Sequence, residues 1–274
     1  MKKTILLVLI IFIFFIGGYF MLKKDNTNSK TKKILGLDKQ TITYYKEEYN
    51  NRYISYKEKN PNLSIEEIIT HVNIGLDQKH YTSTKPSTNL NTPYILVNKY
   101  NYLDKEYTPQ DLEEINNVYS IPGKQLVKVA KMAFEELTQS AKKEGFNIRA
   151  ISTYRTYSYQ KGLYDNYVKN YSKEEADTYS ARPGFSEHQT GLAVDVDNIK
   201  DYFENFEKTK EFNWMQENAY KYGFILRYPK NKEHITGYMY EAWHYRYVGV
   251  DIATYITKNN LTLEEYYVKF IDKN

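Results

Sequence analysis

Between residues 123 and 144 apolar side chains recur at Leu126, Ala130, Ala133, Phe134, Leu137 and Ala141. Steps of three and four put them on one stripe of a helix, and Gly145 is its stop. Residues 193–197 follow a different period. Val194 and Val196 face one way while Ala193, Asp195 and Asp197 face the other, which is a strand. The same reasoning predicts strands at Asn147–Ser152, Phe224–Arg227 and Tyr245–Gly249, and at the start of residues 92–107. It predicts helices at Pro109–Val118, Ser158–Asn170 and residues 209–222, the last stopped by Gly223. Ser64 with Glu67, Ser172 with Glu175 and Thr262 with Glu265 have the spacing of helix-opening caps. Helices and strands intermix without a regular βαβ repeat and without internal repetition. The pattern therefore predicts an α+β fold, a mostly antiparallel sheet flanked by helices.

The amino terminus has its own pattern. Lys2 and Lys3 precede Thr4–Leu22, 19 residues without a charge, and Lys23 and Lys24 follow. As a helix this run is about 28 Å long, close to the thickness of a bilayer's hydrocarbon core. It exceeds the core of a cleavable signal peptide and lacks a small-x-small exit, so residues 1–24 are expected to be an uncleaved transmembrane signal anchor. The large carboxyl-terminal part is then the cargo, placed outside the cytoplasm. Polar residues follow, so 25–90 reads as a juxtamembrane linker and amino-terminal extension. The main folded domain is expected over 91–274.

Composition narrows the chemistry. The 274 residues contain no cysteine, which excludes disulfides, thiolate metal sites, a cysteine nucleophile and an acylated lipoprotein. A metal would have to use histidine and carboxylate. The net charge is +4, with Lys and Glu mixed throughout. No dense basic stripe argues for nucleic acid. The 30 tyrosines read as compositional bias. One anchor and no heptads make a monomer the expectation.

Two of the five histidines sit in unusual surroundings. In Ser186-Glu187-His188-Gln189-Thr190-Gly191-Leu192-Ala193-Val194-Asp195, a glycine turn folds His188 back toward a strand carrying Asp195. In Glu241-Ala242-Trp243-His244, an acid lies three residues before a histidine. A catalytic zinc wants three His or carboxylate ligands and an open position, plus a free carboxylate to accept a water proton. His188, Asp195 and His244 can supply the ligands and Glu241 the base. Asp197 has the strand parity of Asp195 and is an alternative ligand or an acceptor for a ligand imidazole. In a regular strand Glu241 and His244 would face opposite ways. They share a site only if a turn or bulge separates them, or if the strand starts at His244.

These residues carry a resemblance. SEHQTGLAVD resembles the Ser-x-His-x-x-Gly-x-Ala-x-Asp signature of the D-alanyl-D-alanine carboxypeptidase family of zinc peptidases, the VanY-like D,D- and L,D-carboxypeptidases. EAWHYRYVG is similar to the family's Glu-x-Trp-His segment, and ISTYRTYSYQ to its Ser-x-Tyr-Arg-Ser-x-x-x-Gln segment, with Thr156 in place of a common Ser. The three occur in family order, and the resemblance covers about residues 109–250. It implies a Hedgehog/D-Ala-D-Ala-peptidase-like zinc fold with zinc on His188, Asp195 and His244 and Glu241 as base. It also implies that Arg155 holds substrate and stabilises the oxyanion, with Gln160 and Ser186 near the substrate. The expected reaction removes the terminal D-Ala from peptidoglycan stem peptides. An L,D cut on tetrapeptide stems and a non-catalytic wall-binding module are the alternatives. His234 reads as structural or rim, His71 and His80 as surface residues, Trp243 as packing beside the metal, and Arg182 and Arg227 as pocket rim.

Overall fold

The computed structural model describes residues 33, 35–37, 42–198, 200 and 203–272. The anchor expected over 1–24 lies outside the described residues. Among them, no helix is long and apolar enough to cross a membrane. The described residues fall into two compact units, one within Met1–Asp77 and Asp272–Asn274, the other Gln78–Ile271.

The smaller unit is built on helices α1 (Asn50–Lys59) and α2 (Ile65–Ile74). Ser64 and Glu67 close the capping box that their spacing predicts. This satisfies backbone N–H groups that the first turn leaves without partners. Leu35, Tyr53, Ile68, Ile69 and Val72 form a core.

The larger unit takes in residues 78–90, which the sequence reading assigns to the extension. Strand β1 (Lys85–Pro86) pairs in parallel with β2 (Asn101–Tyr102), and Ser87 Oγ donates to the Leu96 carbonyl at 2.8 Å. The strand expected at the start of 92–107 is absent. The Asn98 side chain instead accepts from the backbone N–H groups of Tyr100 and Asn101, making a turn. The helix expected at Pro109–Val118 is also absent. Asp111 has a left-handed φ of 55°, which breaks a helix at its start. Beyond it β3 (Leu112–Glu114) pairs antiparallel with β4 (Gln125–Val127). That pairing takes the first residues of the predicted 123–144 helix, so α3 runs Lys128–Lys143.

A four-stranded sheet lies at the centre, formed by β5 (Arg149–Ser152), β6 (Ala193–Asp197), β7 (Phe224–Leu226) and β8 (His244–Tyr247) in the order β5-β6-β8-β7. Each neighbouring pair is antiparallel. Leu126 of β4 and the apolar stripe of α3, from Ala130 to Ala141, pack with Ala150, Val194, Val196, Phe224, Tyr245 and Tyr247 in one core. Burying each large apolar side chain there contributes about 1.5–3 kcal/mol. Side chains alternate along a strand, so the parity that sends Val194 and Tyr245 into this core sends Asp195 and His244 to the opposite face. The register seats Asp195 directly across from His244. A second cluster joins Ile225 to Ala253 and Ile256 of the helix Val250–Lys258 and to Leu263.

Candidate metal centre

Three short pieces of chain build the site. A 3-10 turn, Glu187–Thr190, carries His188 and ends on Gly191 at φ 68°. Strand β6 carries Asp195. Strand β8 begins at His244, and residues 242–243 form a turn after Glu241. That turn meets the geometric condition set above, since Glu241 is not in the strand and its carboxylate comes to 3.7 Å from His244 Nδ1.

His188, Asp195 and His244 are all buried, and each offers a ligand atom within 4.8 Å of the others. His188 Nε2 is 3.3 Å from Asp195 Oδ2, and His244 Nδ1 is 2.9 Å from Asp195 Oδ1. The imidazoles meet at 88° with centroids 5.0 Å apart. His188 Nδ1 lies 2.7 Å from the Thr153 carbonyl, which can only accept. The ring proton is therefore on Nδ1, and the Nε2 lone pair faces Asp195. His244 Nε2 is buried without a hydrogen-bond partner. A buried carboxylate with an imidazole nitrogen on each oxygen suits a cation that wants mixed N and O donors.

The protonation balance agrees with that fit at His188 and Asp195, whereas a cation on His244 would have to displace a ring proton. Burial pulls His188 down to about 4, with the nearby Arg155 charge adding to the effect. Burial also lowers His244, but the hydrogen bond to Asp195 and the nearby carboxylates of Glu187 and Glu241 outweigh it and raise the ring to about 9. Asp195 is held well below the usual carboxylate range, because His188 and His244 outweigh its burial. Burial pushes Glu241 up to about 7, against the pull of His244.

Arg155 reaches the same carboxylate, with Nη2 at 2.9 Å from Asp195 Oδ2. Ser152 Oγ accepts from its Nε and Nη2 at 3.0 and 2.7 Å. Its backbone N–H donates to the His188 carbonyl at 3.2 Å. Helix α4 (Tyr157–Asn170), capped by Thr156, carries Gln160. The Gln160 oxygen is 3.4 Å from Arg155 Nη1, and its Nε2 donates to the Ala181 carbonyl at 2.8 Å. Arg155, Gln160, Ser186, His188, Asp195, Glu241 and His244 all line one cavity of about 700 Å³. Trp243 lines it too, edge-on to Phe203 at 5.0 Å. Tyr228 covers His244 at 4.9 Å.

Other candidates fall elsewhere. Asp197 is held by Arg149 at 2.8 and 3.1 Å, away from the cavity. His71 is buried beside Tyr56 in the smaller unit, not at the surface, because its helix face packs inward. His80 is half-buried against Tyr100. His234 is exposed on the short helix Glu233–Thr236. Arg182 pairs with Asp177 and lies over Tyr81, outside the cavity lining. Arg227 is not at the rim: it is fully buried between Glu187 and Glu264.

Glu187 was missed by the sequence reading. Its side chain is fully buried beside the centre. Burial raises its pKa, but the charges of Arg227 and Arg246 outweigh this and hold it below the ordinary range. Those partners are 40 and 59 residues away, so no local pattern pointed to them.

Gly191 gives a test of how the turn is held. A Cβ there would lie 2.9 Å from Leu112 and 3.1 Å from Val127, at a φ that L residues rarely adopt. Gly191→Ala is expected to cost about 1–3 kcal/mol. Urea unfolding monitored by circular dichroism would read this as a lower midpoint. An unchanged midpoint would mean that the turn relaxes freely.

Comparisons with known proteins bear on this site. The family profile described as VanY, D-alanyl-D-alanine carboxypeptidase, matches residues 123–250. The protein YodJ of Bacillus subtilis (strain 168) is 46% identical over 181 residues, covering 64% of this chain. The match spans 66% of YodJ, just under two thirds of that relative's length. The solved LdcB LD-carboxypeptidase superposes with a TM-score of 0.64 at 43% identity, covering 70% of this chain and 92% of that one. A mutant of the vancomycin-resistance D,D-pentapeptidase VanY from the VanB-type cassette, in complex with Zn(II), superposes with a TM-score of 0.56 at 36% identity. It covers 64% of this chain and 98% of that one.

Proposed function

Because the chain belongs to the D-alanyl-D-alanine carboxypeptidase family, we propose that it is a zinc-dependent carboxypeptidase that removes the terminal D-Ala from peptidoglycan stem peptides. The observation that carries the reading is the convergence of His188, Asp195 and His244 with Glu241 and Arg155 in one cavity. His188, Asp195 and His244 would hold the metal. Zinc there supplies Lewis-acid polarisation of water and of the scissile carbonyl.

The chain's own groups do the rest. Glu241 accepts the proton of the attacking water and returns it to the leaving amine. Its burial favours that exchange by raising its basicity toward neutral. Arg155 offers a planar fork for the substrate's terminal carboxylate or for charge developing on the carbonyl oxygen. Gln160 braces that guanidinium, and Ser186 stands at the substrate wall. We place the catalytic unit outside the cytoplasm, tethered by residues 1–24 and acting as a monomer on the wall. The length of the apolar run supports the tether, and the size of the part that follows it supports that side of the membrane.

A second reading has its own support. The LD-carboxypeptidase superposes with a higher TM-score and identity than the D,D-pentapeptidase, which favours an L,D cut on tetrapeptide stems. Mass spectrometry separates the two when the purified full chain is given pentapeptide and tetrapeptide stems, with zinc and with a chelator. The leading reading expects D-Ala from the pentapeptide alone, lost on chelation and restored by zinc. Release from the tetrapeptide alone would replace it with the L,D reading. No release from either by zinc-saturated protein would leave a wall-binding module.

A further inference from the structure

Glu187 holds its charge in an uneven way. Arg227 Nε and Arg246 Nη1 both donate to the same oxygen, Oε1, each at 2.8 Å. Oε2 is buried and has no hydrogen-bond partner. A carboxylate placed only to neutralise two guanidiniums would spread them over both oxygens. Glu264, the other acid of this cluster, does so: Oε1 takes Asn98 and Arg227 Nη2, and Oε2 takes Arg227 Nη1. A buried acceptor without a donor is costly, so a donor is expected to face it.

The group facing Glu187 Oε2 is His244 Nε2, 3.7 Å away and equally without a hydrogen bond. His244 turns its other nitrogen, Nδ1, to Asp195 and Glu241. An imidazole that gives its Nδ1 lone pair to a metal must carry its proton on Nε2. That proton then points at the one carboxylate oxygen left free for it. The strand pattern explains the aim. Arg246 lies two residues beyond His244 on the same face of β8, and it holds Glu187 beneath the ring. Arg246 is held in turn by the Pro93 and Ile95 carbonyls, at 3.1 and 2.7 Å.

We propose that Glu187 is a positioning residue for the metal centre: its Oε2 accepts the Nε2 proton of His244, fixing the tautomer and angle in which Nδ1 faces the metal. The proposal rests on the metal-centre reading above. Partners of this kind are typically worth 10–100-fold in metal affinity. Glu187→Gln keeps an oxygen for the two arginines but turns an NH2 toward the Nε2 proton, so donor meets donor.

Zinc affinity would be measured on the full chain by competition with a chromophoric chelator. Glu187→Gln is expected to bind about 10–100-fold more weakly. Glu264→Gln, which weakens the same buried cluster away from His244, is expected to lower the unfolding temperature and leave zinc affinity within about threefold, since it removes no hydrogen bond to a ligand. Glu187→Gln affinity within that same margin, or an equal loss in Glu264→Gln, would overturn the proposal. The wild-type protein gives an answer that needs no variant. With 15N-labelled histidine, the zinc-loaded form should show the His244 proton on Nε2. A proton on Nδ1 would reject the assignment. Failure of the wild-type protein to bind zinc at all would instead strike the metal-centre reading.

Discussion

Glu241→Gln is expected to keep its zinc and lose its turnover. The Glu241 carboxylate lies 3.7 Å from His244 Nδ1 and outside the His–Asp–His group. Glutamine fills the same space but cannot take a proton. General-base catalysis contributes about 10²–10⁴-fold, so kcat should fall at least a hundredfold while zinc stoichiometry stays at wild type. D-Ala release followed beside elemental metal analysis reads both quantities. A variant that keeps about a tenth of wild-type kcat, far above what loss of a general base allows, would remove Glu241 from the base role. A variant that loses its zinc would make Glu241 a ligand.

The second large effect is expected at a residue that does not line the cavity. Arg246 is fully buried and gives hydrogen bonds to Glu187, Pro93, Ile95 and the Tyr247 carbonyl. Arg246→Ala removes all four donations and leaves Glu187 with Arg227 as its remaining hydrogen-bond donor. Breaking a buried ion pair by deleting one partner costs about 3–5 kcal/mol. Domains are stable by about 5–15 kcal/mol in total. The unfolding temperature should therefore drop by on the order of 10 °C, measured by calorimetry on the metal-free form so that zinc affinity does not enter. A drop of only a degree or two would mean that the cavity left behind admits water to the stranded acceptors. Arg246→Met tests the same point from the other side. It fills much of the space, so recovery of stability would assign the loss to packing rather than charge.

What the sequence disclosed followed from how local each signal was. His188 and Asp195 are seven residues apart across one glycine turn, and Glu241 and His244 three apart, so their proximity could be read within short segments. The parity argument for β6 carried over to three dimensions because Val194 and Val196 enter the core, which leaves Asp195 the other face. The apolar stripe was equally visible, though its first member, Leu126, went with Gln125 and Val127 to a strand. Periodicity could not foresee that pairing, because β4 depends on a partner strand whose own signal was ambiguous. Residues 109–118 fit a helical count, but the left-handed backbone at Asp111 redirected the chain. Arg227, Arg246, Glu187 and Glu264 were opaque for another reason. Each looks like a surface charge in its own segment, and only the fold makes four such charges each other's solvent.

The seating of Asp195 opposite His244 has a consequence for how this protein can vary. The two belong to adjacent strands, and a slip of one residue would turn every side chain of a strand over. No residue near the cavity need hold that alignment, since Val194, Val196, Tyr245 and Tyr247 already hold it from behind. The greasy side of the sheet thus acts as a gauge for the wet side. Substitutions along α3 that loosen its grip would blur the spacing of Asp195 and His244 without touching either, and the proposed metal site could be lost by drift in residues that never meet the cavity.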